Sequence, residues 1–450
     1  MARRIRDHKH PAAARAFLRR LAGTRYLPIY GSSYALFLTA GANALLGLVF
    51  WVAAARLYPA SVVGLGAGGI SALQLVATVG WVGLQFTLLR YLPVAGLKRR
   101  RLVALVYGAG MGAGLVAAVV FTLLLAGDLR VAYVADAPLS AIAFCVSVLV
   151  WVVFTLQDAV LVGIRRAYLV PIENTIYGAL KLLLLVVLSA IDDPWTLLGV
   201  WVGGTGLLVV VVNGFLFRRL LIADGQPPRL PGTATLARFS AGQTAVAVAS
   251  MIPDFLVPLL VLRYLDQATN AYYYAAWTVG FSTRLLPVNI ANVLTVEGAY
   301  GEHSIWSLLR SVVRLCVATL GPVIIVLLLG ADVVLSVFGP RYADAAAPLL
   351  RYFAIGLVPF TVVTLVIAID RVRERFGAAL MIASVGTATT IGLDLVLIPA
   401  NGITGAGLGW LVGQTAAAAA ALASAGRMAR RRQQDAPPHL EQAAPVSPDH

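Results

Sequence analysis

The sequence has few charged residues. Of its 450 residues only 12% are Asp, Glu, Lys or Arg, whereas 60% are hydrophobic and the mean hydropathy is +0.85. Soluble globular domains carry about 25% charged residues, so this composition excludes a soluble protein and indicates a polytopic membrane protein. Because roughly 20 apolar residues cross the hydrocarbon core as a helix, the chain has room for about a dozen spans.

Cysteine and histidine are scarce as well, which excludes several kinds of site. The two cysteines, Cys145 and Cys316, both lie in apolar segments, where we expect buried thiols and neither a disulfide nor a metal pair. The five histidines lie in tails or loops, without the spacing of metal ligands. The phosphate-binding pattern G-x-x-x-x-G-K-[ST] is absent. We therefore expect no cofactor, no metal and no ATP site of the P-loop type.

Apolar segments fill most of the chain, separated by charged or Pro-, Gly- and Asp-rich breaks. The first apolar segment is of helix length and follows a basic tail, so no cleavable signal peptide is expected. The segment 331–344 is predicted to be a short amphipathic connection. The twelve predicted spans are 33–56, 63–90, 102–127, 137–163, 168–190, 195–217, 238–262, 271–297, 308–330, 345–369, 376–398 and 403–425.

Arginine is distributed unevenly between alternate loops. One side holds basic clusters such as "LKRRR" at 97–101, the 218–238 loop and 427–432. The other side has only four arginines, namely Arg56, Arg130, Arg263 and Arg341. The positive-inside rule then places both termini in the cytoplasm. The same distribution explains the net charge of +15 without nucleic acid, because arginines at span ends serve topology and bind anionic membrane lipid.

The two halves of the chain resemble each other at an offset of 207 residues, at which Arg56 aligns with Arg263 (263 − 56 = 207). An even number of spans per half predicts parallel repeats about an axis along the membrane normal, with substrate sites near the midplane. The expected fold is an all-α polytopic membrane protein with 12 transmembrane helices as two parallel six-helix repeats around a central cavity. The predicted divisions are a basic cytoplasmic tail (1–30), a first six-helix bundle (31–220), a cytoplasmic linker (221–237), a second six-helix bundle (238–426) and a disordered cytoplasmic tail (427–450).

Four loose motifs, in order, carry a family likeness. They are the hairpin "ARLYPASVVG", the helix end "VGLQFTLLR", the run "PDFLVPLLVLRYL" followed by "AYYYAA", and "LSVFGPRYADAAAPLLRYFAI". These stretches resemble the first two helices, the seventh and eighth helices, and the ninth-to-tenth connection of bacterial polysaccharide flippases. Those flippases belong to the multidrug/oligosaccharidyl-lipid/polysaccharide exporter superfamily, and the likeness covers most of residues 30–425.

This resemblance implies a V-shaped pair of six-helix bundles that works by alternating access in the bacterial cytoplasmic membrane. The implied substrate is a polyprenyl-pyrophosphate-linked oligosaccharide, which is moved to the outer leaflet for surface polysaccharide biosynthesis. Beyond this lipid-linked glycan, the resemblance implies a polysaccharide polymerase or glycosyltransferases as partners. It does not reveal which sugar is carried.

Two cations fall deep inside apolar segments, Arg284 in "FSTRLLPVNIANV" and Lys181 in "GALKLLLLVV". At such depth a cation must face the bundle interior, a wet cavity or a partner. Arginine suits a pyrophosphate because its planar fork donates bidentately and stays charged. Two interpretations are open: the cations line an anion-binding cavity, or each neutralises a buried acid. The acid would be Asp254 for Arg284, and Glu173 or Asp158 for Lys181.

Other polar residues complete the candidate site. With Arg284 and Lys181, the substrate-binding candidates are Arg90, Asn289 and Asn43. The gating or ion-coupling candidates are Asp158, Glu173, Asp254, Arg56 and Arg263. We expect Asp158 and Glu173, with Gln157 and Asn174, either to join Arg90 in a cytoplasmic-side gate or to be interface-level charges near headgroups. Arg56 and Arg263 are either interfacial anchors that snorkel or the outer rim of the cavity.

Other functions remain as alternatives. A multidrug or cation antiporter of the same fold should carry a deep acid in the first helix, where this chain has only Asn43. A peptidoglycan lipid-precursor flippase resembles a fourteen-helix arrangement, whereas twelve spans are predicted here. A membrane glycosyltransferase or polymerase usually needs a sizeable external loop for its chemistry, and the outward loops are short. We therefore expect a transporter and no enzyme. Whether a proton or a sodium gradient drives it stays open.

Overall fold

The computed structural model describes residues 41, 44–221, 227, 230–300, 305–372 and 375–434. These residues contain helices joined by short connections and no strand. The thirteen α-helices are α1 (Ala44–Leu57), α2 (Ala60–Trp81), α3 (Leu84–Tyr91), α4 (Arg99–Leu124), α5 (Pro138–Gly163), α6 (Leu169–Val187), α7 (Pro194–Phe215), α8 (Thr233–Tyr264), α9 (Gln267–Tyr300), α10 (Ile305–Ser336), α11 (Pro340–Val372), α12 (Phe376–Asn401) and α13 (Ile403–Gln434).

Every predicted span overlaps a helix, and the predicted all-helical fold is confirmed. The second predicted span is divided between α2 and α3, which are separated by Val82 and Gly83. Ten of the described helices are long and apolar enough to cross a membrane. Two predicted spans remain. The first corresponds to α1, which is described from Ala44 onward, and the eighth corresponds to α9, which is 34 residues long. The protein is therefore a multi-pass membrane protein.

The prediction of an amphipathic connection over 331–344 is wrong. Gly330 leaves the helical region (φ −115°, ψ 19°) and kinks α10, but the apolar residues after it continue the helix to Ser336. The turn is only three residues long, because Gly339 adopts the positive φ of 147° that favours glycine and Pro340 starts α11.

The connections between helices lie at two opposite faces of the molecule. The basic face contains the connections 92–98 and 164–168, and the opposite face contains 58–59, 125–137, 188–193, 265–266 and 337–339. The first-half helices α2, α4, α5 and α7 pack on one another, and so do α9, α11, α12 and α13 in the second half. The halves meet where α2 packs against α8 and α9 and where α3 packs against α8.

Near the opposite face, α2 and α9 cross with their backbones in direct contact. A Cβ atom on Gly64 would collide with the carbonyl oxygen of Gln267, so this crossing requires glycine. Asn270 Nδ2 donates to the Gly64 carbonyl oxygen at 2.7 Å and satisfies a buried acceptor. The two halves are therefore closed against each other at this face.

Candidate functional site

Arg284 lies near the middle of α9, 17 residues after Gln267 (284 − 267 = 17) and 16 before Tyr300 (300 − 284 = 16). Its Nη2 donates to Asp254 Oδ1 of α8 at 2.6 Å, and the two side chains are 12% and 15% exposed. The alternative ion pair of the sequence prediction is thus present. Within the described part of the chain Asp254 is the one hydrogen-bond partner of Arg284, which leaves further guanidinium donors unused.

Three aromatic rings surround the Arg284 guanidinium. Its central carbon lies 4.8 Å from the ring centroid of Phe281, 5.5 Å from that of Phe360 and 5.8 Å from that of Trp410. Such cation–π contacts attract a cation by about 0.5–2 kcal/mol, more when it is desolvated. They hold the guanidinium in place in a partly buried setting.

A cavity of about 380 Å³ extends from this ion pair towards the basic face, among α8, α9, α11, α12 and α13. Arg284 and Asp254 lie on its wall, as do the polar side chains of Ser250, Thr387 and Gln414. Apolar side chains, including Val288, Ala291, Ile367, Ala368, Ile382 and Ala383, form the rest of the lining. The cavity therefore combines one charged pair with a mostly apolar wall, and it lies within the second half, because all the residues that line it belong to α8, α9, α11, α12 and α13.

The other substrate-binding candidates are not brought to this cavity. Asn289 is half-buried on α9 and does not line it. Arg90 is exposed at the end of α3, where its guanidinium lies 4.9 Å from the Phe239 ring of α8. Asn43 lies outside the described residues.

Lys181 is buried in an aromatic cage in the first half. Its side chain is 5% exposed, and Nζ lies 4.1 Å from the centroid of Trp201, 4.9 Å from that of Tyr177 and 5.0 Å from that of Phe50. No carboxylate in the described part of the chain pairs with it, so the predicted partners Glu173 and Asp158 are wrong. The aromatic rings are the partner that sequence reasoning missed.

The predicted acids do form a buried polar network. Glu173 accepts a hydrogen bond from Gln157, whose Oε1 accepts from Asn213 Nδ2 at 2.6 Å. Tyr107 in turn donates to Asn213 Oδ1 at 3.0 Å. The second carboxylate oxygen of Glu173 is buried and has no partner among the described residues. Four helices of the first half, α4 to α7, thus meet around one carboxylate.

Asp158 forms the second part of this acid group. Asn174 donates to its Oδ2 at 3.2 Å, while Oδ1 is buried without a partner in the described chain. The interpretation in which these acids join Arg90 in a gate is not supported, because the Arg90 guanidinium lies over Phe239 across the interface between the halves. Asp394 of α12 is fully buried, and within the described chain neither of its oxygens has a partner.

Arg56 and Arg263 connect the two halves at the opposite face. Arg56 of α1 donates to the Ser336 carbonyl at 2.9 Å and to the Val337 carbonyl at 3.0 Å, at the end of α10. Arg263 of α8 pairs with Asp128, which follows α4. Asp128 plus the repeat offset is 335 (128 + 207 = 335), next to Ser336, so the two contacts are related by the internal repeat. Both arginines therefore bridge the halves and are not simple interfacial anchors.

Comparison with known proteins gives structural matches alone. No protein-family profile matches the sequence, and no curated protein matches it. The chain is similar to a solved structure described as the lipid II flippase MurJ in an inward closed conformation, at 13% identity over 88% of this chain and 87% of that chain, with a TM-score of 0.68.

Two transporters give similar matches. One is an inward-facing multidrug resistance MATE transporter of the MOP superfamily, at 15% identity over 88% of this chain and 96% of that chain, with a TM-score of 0.62. The other is a MOP superfamily transporter from Pyrococcus furiosus, described by the reverse polarity of its binding pocket, at 15% identity over 90% and 96% of the chains, with a TM-score of 0.58. This chain has the fold of the MOP-superfamily flippases and transporters.

Proposed function

We propose that the protein moves a polyprenyl-pyrophosphate-linked oligosaccharide across the bacterial cytoplasmic membrane by alternating access, with its basic face and both termini in the cytoplasm. The observation that carries this proposal is Arg284, a permanent cation near the middle of α9 on the wall of a largely apolar cavity. A MurJ lipid II flippase among the structural neighbours supports a lipid-linked substrate. The neighbours are flippases and transporters, which supports a transporter and no enzyme.

The pyrophosphate competes with Asp254 for Arg284 in this proposal. The guanidinium donates one hydrogen bond to Asp254 and has further donors for phosphate oxygens. As the pyrophosphate takes over the guanidinium, Asp254 becomes a poorly solvated charge without its partner, which is costly. A proton or a sodium ion that neutralises Asp254 removes this cost. Substrate binding and ion binding are thereby coupled through one ion pair.

Contacts between the halves form two gates. On the opposite face the gate consists of Arg56 and Arg263 with their partners, and its opening releases substrate to the outer leaflet. Towards the basic face, Thr87 and Ser240 hydrogen-bond across the halves at 2.5 Å, and the Arg90 guanidinium covers Phe239. Opening of this second gate admits substrate from the inner leaflet.

The acid network of the first half is a second candidate for ion coupling. The carboxylates of Glu173 and Asp158 each have one buried oxygen without a partner in the described chain. Burial of a carboxylate oxygen without a partner is costly. A bound proton or cation at these carboxylates would relieve this cost and change how α5 and α6 pack.

Reconstitution into liposomes tests the function. The protein should move a fluorescent polyprenyl-pyrophosphate glycan between leaflets, which is measured by the fraction that dithionite added outside can bleach. Arg284→Gln should abolish this movement. Transport of a cationic dye such as ethidium, without movement of the lipid-linked glycan, would instead support the antiporter alternative.

A further inference from the structure

Five aromatic rings form a continuous series between the two buried cations. The rings are Trp201 of α7, Trp51 of α1, and Tyr274, Trp277 and Phe281 of α9; we call them the aromatic ladder. Successive ring centroids lie 6.1, 4.4, 4.8 and 4.9 Å apart. The contact between Trp51 and Tyr274 joins the first half to the second, so the ladder crosses the interface between them.

A cation lies at each end of the aromatic ladder. The Arg284 guanidinium lies over Phe281 at one end, and Lys181 Nζ lies over Trp201 at the other. From Phe281 to Tyr274 the ladder rises seven residues along α9, about 10 Å towards the opposite face. A substrate held at Arg284 by its pyrophosphate therefore has these rings between itself and the opposite face.

Two rings of the aromatic ladder carry hydrogen-bond donors that have no acceptor in the described chain. The indole nitrogens of Trp201 and Trp277 are buried and lack an acceptor among the described residues. Buried indole N–H groups usually find a partner, because an unpaired donor costs free energy. Unpaired donors on flat apolar rings suit a ligand that has both apolar C–H faces and many oxygen acceptors. Pyranose sugars have this combination.

We propose that the aromatic ladder binds the sugar rings of the glycan as it passes from Arg284 to the opposite face. This inference rests on the proposed function and assigns the carbohydrate part of the substrate to named residues. The C–H faces of the sugars pack on the indole and phenyl rings, and sugar oxygens accept from the Trp277 and Trp201 N–H groups. Stacking of this kind tolerates different sugars, because it requires a flat C–H face and no particular set of hydroxyls.

The ladder becomes accessible in stages. Trp277 and Phe281 line a small space of about 20 Å³ that adjoins Arg284 on the side of the opposite face. Trp51 and Tyr274, at 4% and 2% exposure, are packed between the halves. Release of the gate arginines separates the halves at this face and uncovers these two rings. As the molecule opens, the sugars move from Trp277 and Phe281 to Tyr274 and Trp51.

The test compares lipids with and without sugar. Radiolabelled farnesyl pyrophosphate, and farnesyl pyrophosphate carrying glucose or N-acetylglucosamine, are bound to the full-length protein in nanodiscs. The wild type should bind the sugar-bearing lipids about tenfold more tightly than the sugar-free lipid. Trp51→Leu and Trp277→Leu should lose roughly threefold to tenfold of this preference and keep the affinity for the sugar-free lipid. Trp277→Phe, which keeps a ring, should lose less than Trp277→Leu.

Trp81 provides the matched control. Its indole nitrogen is also buried without a described partner, but its ring has no aromatic neighbour in the described chain. Trp81→Leu should leave the sugar preference unchanged.

Each other outcome has a defined meaning. Equal wild-type affinity for lipids with and without sugar, with both weakened by Arg284→Gln, overturns the ladder and leaves the proposed function intact. A sugar preference that survives both ladder substitutions also overturns the ladder. If the wild type binds none of these lipids, the proposed function fails, and the ladder inference fails with it.

Discussion

Neutralising both members of the Arg284–Asp254 pair separates its structural role from a role in substrate binding. Removing one partner of a buried ion pair costs about 3–5 kcal/mol, because the other charge is left uncompensated. Arg284→Gln and Asp254→Asn should therefore each destabilise the protein by about that amount. Loss of the guanidinium contacts with Phe281, Phe360 and Trp410 adds about 1–2 kcal/mol to the first substitution. The double variant leaves no charge unpaired, so it should regain most of the stability lost by Asp254→Asn.

The double variant should regain stability, but it should not regain transport. A hydrogen bond from guanidinium to phosphate contributes about 1.5–3 kcal/mol, which corresponds to a roughly tenfold to hundredfold loss of binding in the double variant. Thermal unfolding is followed with a thiol-reactive dye, since Cys316 is buried in the folded protein, and transport with the leaflet-exchange assay. A stable double variant that transports like the wild type would refute a substrate role for Arg284 and leave the ion pair purely structural.

Another ion pair in the second half provides the control. Arg351 and Asp332 pair at 2.5 Å, but their side chains are 39% and 57% exposed and they do not line the cavity. Neutralising both partners leaves neither charge unpaired. The double variant Arg351→Gln/Asp332→Asn should therefore change neither stability nor transport appreciably, whereas a strong loss of transport would show that the assay responds to any loss of charge.

Two further predictions concern the contacts between the halves. Arg56 and Arg263 are both exposed, and they differ in the number of contacts that each makes. Arg56→Gln removes two hydrogen bonds and should shift the halves apart at the opposite face by up to about tenfold in population, whereas Arg263→Gln breaks one ion pair and should shift them by less than about fivefold. Distances between spin labels at the ends of α2 and α9 measure this shift, and a larger effect of Arg263 would contradict it. Gly64→Ala should lower the unfolding temperature, because its Cβ meets the Gln267 carbonyl. Gly199→Ala, which has nothing within 4 Å, should leave that temperature unchanged or raise it; equal effects at both glycines would refute the close crossing.

Length and hydropathy were sufficient to locate the helices, because each span needs a long apolar run whatever its neighbours are. The pair of Arg284 with Asp254 was also predicted as one of two interpretations, since the residues lie on consecutive helices and an arginine side chain is long enough to span their difference in depth. The connection over 331–344 was mispredicted because the helix continues through the kink at Gly330 to Ser336.

The aromatic surroundings of Lys181 could not be predicted from the sequence, for a different reason. Hydrophobic helices have little amphipathic pattern, so their sequence does not tell which side faces a neighbouring helix. Trp201 and Phe50 lie on other helices than Lys181. The aromatic ladder likewise joins α1, α7 and α9, and only the packed structure brings these residues together.

Leaflet exchange of a fluorescent polyprenyl-pyrophosphate glycan in liposomes tests the central claim most directly. The account predicts rapid exchange with the wild-type protein and no exchange above empty liposomes with the folded Arg284→Gln/Asp254→Asn variant. Absence of exchange by the wild-type protein under a proton or a sodium gradient of either direction would contradict the account.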